Sequence, residues 1–149
     1  MAEEYLKLVE ALRKGLGGDF LNYEYNVKRR TLKLFIERSA LTKAIELVNE
    51  ICNGEYHVTT ITGADLGGDE IELTYFLWLL PQRLRVAIKI KAPKKDLKVQ
   101  SLVGVAPATI LYEREVYEML GVIFEGHPKL EKLFLPEDWP KDVYPLRRE

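Results

Sequence analysis

Leu32, Leu34 and Ile36 alternate with polar neighbours, whereas Leu41, Ala44, Ile45, Val48 and Cys52, only a few positions on, recur at three- and four-residue steps. The first spacing lines one face of a strand and the second one stripe of a helix, so the chain switches secondary structure within a short span. Each element then has a single apolar face to bury, which restricts the fold to packed layers.

The same test orders the rest of the chain. Tyr5, Leu8 or Val9, Leu12 and Leu16 trace a first helix that ends at Gly15, Gly17 and Gly18. Phe20 to Val27 and Thr31 to Glu37 form a hairpin around the basic turn Lys28-Arg29-Arg30. Ser39 is placed to cap the second helix, which stops at Asn53-Gly54. Strands are predicted over Tyr56 to Ala64, over Ile71 to Leu80 after the turn Gly67-Gly68-Asp69, and over Leu84 to Ile90. The order αββαβββ favours an α+β two-layer sandwich, with helices on one face of a mainly antiparallel or mixed five-stranded sheet, over a doubly wound parallel fold. No GxGxxG or Walker loop and no internal repeat is present.

A Lys-rich connector, Lys91 to Lys98, leads to Pro107, which can open a third helix running through Ala108 to Leu120 and ending at Gly121. The last 22 residues hold four of the seven prolines, interleaved with Leu130, Leu133, Phe134, Leu135, Trp139, Tyr144 and Leu146. Proline excludes regular structure from most of this stretch, yet it is too apolar to be a solvated linker. It either wraps over its own domain or lies as an extended arm on another subunit. The expected organisation is a core over residues 1–121, third helix included, and an arm over 122–149.

Composition narrows the function. At 149 residues, 47% apolar and 30% charged, the chain suits one globular domain. Its formal charge of -1 offers no bulk attraction to nucleic acid or anionic lipid. The single cysteine, Cys52, cannot form an intramolecular disulfide, nor alone hold zinc or an iron–sulfur cluster, which need about four ligands. The longest apolar run, Tyr75 to Leu80, is far short of the ~20 residues of a membrane-spanning helix. The opening Met-Ala-Glu-Glu lacks a signal-peptide pattern, so a soluble intracellular chain is expected. The excess of Lys and Glu over Gln and Cys resembles the bias of hyperthermophile proteins.

Chemistry concentrates in the third helix. Glu113, Arg114, Glu115 and Glu118 form the one carboxylate cluster with acid-base potential, and His127 follows. Helical spacing sets Arg114 beside Glu118 and Glu115 beside Glu118. A small enzyme using Glu115, Glu118 and His127 for proton transfer is one reading; a solvated charged face is the plainer one. Ser39, Ser101 and Cys52 sit in no nucleophile motif, and His57 and His127 lack zinc-protease spacing. The basic runs Lys28 to Arg30 and Lys91 to Lys98 could touch phosphates in an RNA-binding α+β module, but no RNP-like aromatic motif accompanies them.

The run from Glu113 to Pro128, E-R-E-V-Y-E-M-L-G-V-I-F-E-G-H-P, resembles the signature of the thirty-kilodalton subunit family of respiratory complex I. Leu135-Pro136-Glu137-Asp138-Trp139 and Pro145-Leu146-Arg147-Arg148 are similar to its closing P-E-D-W and P-L-R-K elements, and Val58 to Asp65 with the Tyr75 strand to its central hairpin. The chain departs from that pattern at Glu118, where the family commonly has Asp, and at Glu131 before Lys132. The resemblance implies an α+β sandwich with a C-terminal arm and no cofactor, metal or catalytic residue of its own. It implies a non-redox docking subunit that holds a hydrogenase-like large subunit to a small subunit with an iron–sulfur cluster, with antiporter-like membrane subunits contacted indirectly. The complex would lie peripherally on the cytoplasmic side of the membrane. The short chain and the Lys/Glu bias point to the version in archaeal membrane-bound hydrogenase and sulfane reductase complexes. Partner-binding residues implied are Glu113, Arg114, Glu115, Glu118, Gly126, His127, Pro128, Pro136, Asp138, Trp139, Tyr144, Pro145, Leu146, Arg147 and Arg148. Arg114 is expected to pair within the chain and orient Glu115 and Glu118, and Gly126-His127-Pro128 to form a rigid turn. Trp139 and Leu146 are expected to anchor the arm on the large subunit, with Arg147 and Arg148 pairing with its carboxylates.

Overall fold

The computed structural model describes residues 2–148. The chain runs α1 (Ala2–Leu16), β1 (Phe20–Asn26), β2 (Thr31–Ile36), α2 (Leu41–Cys52), β3 (Tyr56–Asp65), β4 (Glu70–Leu79), β5 (Leu84–Pro93), β6 (Lys98–Gln100), α3 (Ile110–Leu120) and β7 (Ile123–Glu125). The main sheet has the order β1-β2-β5-β4-β3. A hairpin, β1 with β2, and a meander, β3 to β5, meet at one parallel seam where Leu32 faces Val86 and Leu34 faces Ile88. This is the α+β sandwich on a mixed five-stranded sheet that the element order implies.

Register explains where the core lies. Tyr23, Leu34, Ile88, Tyr75 and Ile61 form one row across all five strands. Leu34, Ile88, Tyr75 and Ile61 are buried, as are Leu8 and Leu12 of α1 and Ile45 and Val48 of α2. Each fully buried Leu, Ile or Val side chain contributes ~1.5–3 kcal/mol over an exposed one, so this single apolar layer is what orders the sheet. Slipping any strand by one residue would turn its apolar set outward. Helix α2 ends at Asn53, whose left-handed φ of 51° lets its N–H return to the carbonyls of Asn49 and Glu50.

Two local expectations change. Ser39 does not cap α2: it lies in a 3-10 turn, Arg38–Ala40, and Ala40 takes the cap position without a side-chain bond. Tight backbone bonds, Ala40 N–H to Glu37 O at 3.0 Å and Leu41 N–H to Arg38 O, serve donors that a serine would otherwise cap. Residues 91–98 are no simple connector, because Lys91 to Pro93 complete β5 opposite Glu70 to Glu72 and Lys98 opens β6. Arg38 fastens that segment through the carbonyls of Asp96 at 2.6 Å and Lys98 at 2.9 Å and through the Asp96 carboxylate at 2.9 Å.

Strands β6 and β7 make a second, parallel pair of three residues each, too short to show any period. Val122 and Phe124, beyond the helix-ending Gly121, are buried in the core, so packed structure continues through β7.

Helix α3 packs on β3 at Gly63, where an added Cβ would collide with Leu120 and lie 3.1 Å from Leu73. Gly63→Val is therefore expected to lower stability by ~1–3 kcal/mol, read from denaturant midpoints. An unchanged midpoint would mean that α3 does not seat on this strand.

Candidate functional site

The four charged residues that open the motif in α3 part company in space. Glu113 is fully buried: one carboxylate oxygen accepts the Ser101 hydroxyl at 2.6 Å, the other the Leu102 N–H at 2.8 Å. Burial pushes its pKa up, while those two hydrogen bonds and nearby His127 pull the other way. Glu115 is exposed.

Arg114 and Glu118, one turn apart on one helix face, act together on the segment that follows β7. Arg114 donates Nε to the Glu131 carbonyl at 3.1 Å and Nη2 to the Lys132 carbonyl at 2.8 Å. Glu118, only 3% exposed, accepts the next three backbone N–H groups: Leu133 at 2.9 Å, Phe134 at 2.9 and 3.0 Å, and Leu135 at 2.6 Å. Cation takes carbonyls and carboxylate takes amides, so a stretch without secondary structure still has its backbone groups satisfied. The expectation that Arg114 orients Glu115 and Glu118 is corrected: among the described residues it forms no ion pair with either, because backbone carbonyls occupy it.

The tail then returns across the end of α3. Leu146 N–H bonds the Met119 carbonyl at 3.0 Å and Arg147 Nη1 the Leu120 carbonyl at 2.8 Å, serving acceptors that a helix end leaves open. Gly121, at φ 83°, packs under the Tyr144 ring, where a Cβ would come within 2.8 Å. Asp65 closes the wrap, accepting Arg148 N–H at 2.7 Å, Gly67 N–H at 3.0 Å and Lys94 Nζ at 2.9 Å. The two backbone donors, then Lys94, hold its pKa well below the usual carboxylate range. The tail therefore lies on its own domain, and Arg147, expected to reach a partner's carboxylates, is spent on Leu120.

Gly126, at φ 87°, His127 and Pro128 do form a tight turn. His127 Nδ1 accepts Lys129 N–H at 2.9 Å, which leaves Nε2 as the donor to the Ile110 carbonyl at 2.9 Å. Trp139 ties the tail to itself through Nε1 to the Val143 carbonyl at 2.8 Å, and Lys132 bonds the Trp139 carbonyl at 2.9 Å. Pro128, Pro136, Asp138, Pro145, Leu146 and Arg148 are exposed, as are the apolar side chains of Leu111, Phe134 and Val143.

Residues 34–149 match the family described as the respiratory-chain NADH dehydrogenase, 30 Kd subunit. The chain belongs to this 30 Kd subunit family. A relative from Mycobacterium sp. strain KMS, a subunit of NADH-quinone oxidoreductase, is 31% identical over 94% of the chain and 65% of its own length. The corresponding NADH-quinone oxidoreductase subunit from Nocardioides sp. is 35% identical over 65% of the chain and 39% of its own length. The chain thus spans less than two thirds of these curated relatives. Among solved structures, a chain of the membrane-bound sulfane sulfur reductase, an archaeal respiratory membrane complex, superposes with a TM-score of 0.78 at 26% identity, covering 98% of this chain and 83% of that one.

Within this 30 Kd subunit fold the acid-base trio is not assembled. A cleft of about 300 Å³ beneath Trp139 and Tyr144 touches Glu118 but neither Glu115 nor His127, and Glu118 is saturated by amides. Among the described residues no three His, Cys, Asp or Glu side chains converge as metal ligands, and no helix is long and apolar enough to cross a membrane. Sequence reading missed Ser101 and Asp65. The Asp65-Leu66-Gly67 turn, in which the carboxylate caps the amide two residues on, was a readable signal for Asp65; Ser101 offered none.

Glutamine can replace Glu113, bonding Ser101 and Leu102 with one donor and one acceptor; at Glu118 its oxygen can still accept the three amides, but its NH2 group then faces the Phe134 N–H and the charge that strengthens all three bonds is lost. Glu118→Gln is expected to cost ~2–3 kcal/mol in denaturant unfolding at pH 7, and Glu113→Gln under ~1 kcal/mol. Equal losses would contradict the clasp.

The two perturbed carboxylates also leave opposite marks on pH dependence. Folded Glu113 holds its proton to higher pH than the unfolded chain, so between its raised pKa and the ordinary 4.5 its contribution stabilises as pH falls; Glu113→Gln removes that slope. Asp65 stabilises fully above the ordinary 3.8 and loses this as pH falls through its depressed folded pKa, a loss absent from Asp65→Asn. Unfolding midpoints compared across acid pH for the three chains check both signs.

Proposed function

We propose that the chain is a non-redox docking subunit in the hydrophilic arm of a complex I-like membrane-bound oxidoreductase. Its clasped C-terminal face lies against a hydrogenase-like large subunit and a small subunit that holds the iron–sulfur cluster. Membership of the 30 Kd subunit family and likeness to a chain of an archaeal respiratory complex support this, and the near-complete superposition on that chain favours the sulfane reductase or hydrogenase type.

The observation that carries the reading is a set of large apolar side chains held out on a fixed backbone. Phe134 is 67% exposed although its own N–H is locked by Glu118, and Leu146 is 55% exposed although its N–H is locked by Met119. Side chains presented without further ordering cost are what an interface uses as anchors. Glu115, Asp138 and Arg148, on α3 and the tail, are exposed polar residues of the kind that form an interface rim. Glu118 serves this face from beneath by holding residues 133–135, while Glu113 holds the turn after β6. Electron transfer would belong to the partner subunits, and the complex would sit peripherally on the cytoplasmic side of the membrane through them.

The double variant Phe134→Glu, Leu146→Glu tests this, since neither backbone bond needs the side chain. Co-purification with the large subunit from source membranes is expected to fall to a small residue while the thermal midpoint stays within a few degrees. Unchanged recovery would remove this face as the interface.

A further inference from the structure

Helices cover one face of the five-stranded sheet, and the opposite face is open. Register puts Glu24, Lys33, Ala87, Phe76 and Thr60 in one row across it, flanked by the row through Arg85 and Trp78 and the row through Phe35 and Lys89. Ala87 is the smallest residue in the middle of this face, and the surface dips there into a groove of about 850 Å³ running to the β1–β2 turn. Its charged lining is Lys28, Arg29, Lys33, Arg85 and Lys89 against the single carboxylate of Glu24.

That imbalance stands out in a chain of formal charge -1. Lys89 is neutralised by Glu72 at 3.0 Å, but Lys28, Arg29, Lys33 and Arg85 join no ion pair among the described residues. Four cations outside any ion pair, set against the one carboxylate of Glu24, leave a local positive potential around the concavity. Apolar surface lies among them: Phe76 is 37% exposed and Val27, at the turn, 74%.

We propose that this groove is a second docking surface, which takes a carboxylate-rich segment of a partner polypeptide and seats an apolar side chain of that segment over Phe76 and Ala87. The inference rests on the docking role proposed above in requiring a partner chain, and it concerns a different face from the clasped tail. A nucleic-acid strand fits less well, because base recognition on a sheet uses several stacking rings. Among the groove's described lining residues Phe76 is the one unstacked ring, since Tyr25 is stacked on Tyr5 at 3.8 Å on the helical side and Phe35 and Trp78 lie in the flanking rows. Glu24 would repel a phosphate track, whereas a polypeptide can answer it with a donor.

The test is lysine acylation footprinting of the full chain, free and in its purified complex, with charge reversal as control. Lys28 and Lys33 are expected to lose most of their labelling on assembly, Lys14 and Lys43 on the helical side to keep theirs, and Lys33→Glu, Arg85→Glu to be released from the complex at lower salt. If the chain co-purifies with Lys28 and Lys33 labelled as in the free chain, the groove proposal is overturned and the tail reading stands. If it is recovered without partners, the tail reading fails and the groove is judged on the free chain by fluorescence anisotropy with polyglutamate and oligouridylate. Polyglutamate binding that the double reversal abolishes supports the groove; preference for oligouridylate, or binding of neither, overturns it.

Discussion

Arg114 and Glu118 sit one turn apart on α3 and between them take five consecutive residues of backbone, two carbonyls and then three amides. The rest of the C-terminal structure depends on that exchange. Residues 131–135 form no helix or strand, so without these side chains their polar groups would turn to water and the apolar residues among them would have no fixed direction. Glu113 and Asp65 repeat the device at the two flanks, one holding the turn after β6 and the other the amide of Arg148. Three buried carboxylates facing backbone amides thus replace the hydrophobic layer that orders the sheet.

This division accounts for what could be read from the sequence. The sheet and its two leading helices follow from side-chain period alone, because burial on one face writes itself into the order of residues, as Leu32, Leu34 and Ile36 or Ile45 and Val48 show. The parallel β2–β5 seam was accessible only as a class of mixed sheet, since period two is the same in either direction. The motif in α3 was conspicuous as residue types, and helical spacing placed Arg114 and Glu118 on one face, but among the described residues the two form no ion pair with each other. What that pair holds was not legible, because its partners are main-chain atoms some fifteen residues away, and a backbone amide leaves no trace in residue identity. Ser101 was hidden because its partner, the Glu113 carboxylate, lies twelve residues on, and β6 and β7 because three residues are too few to show a period.

A family signature dominated by charge is easily read as an interaction surface or as catalytic machinery. Here its two buried carboxylates act inward, Glu118 on the segment that carries Phe134 and Glu113 on the turn after β6. Such an arrangement suits a subunit whose work is to present fixed shape. A side chain such as Phe134 binds with less entropic loss when its backbone is already held, and holding it by a buried carboxylate makes the face part of the fold and not a flexible appendage.

The central claim is that the tail is folded in the free chain, and amide hydrogen exchange at Leu133, Phe134 and Leu135 tests it most directly. Bonding to buried Glu118 predicts protection of these three amides approaching that of the central strands β4 and β5, in a segment with no secondary structure to supply it. Exchange at the rate of an unstructured peptide would contradict the account and make the tail an arm that orders only on a partner.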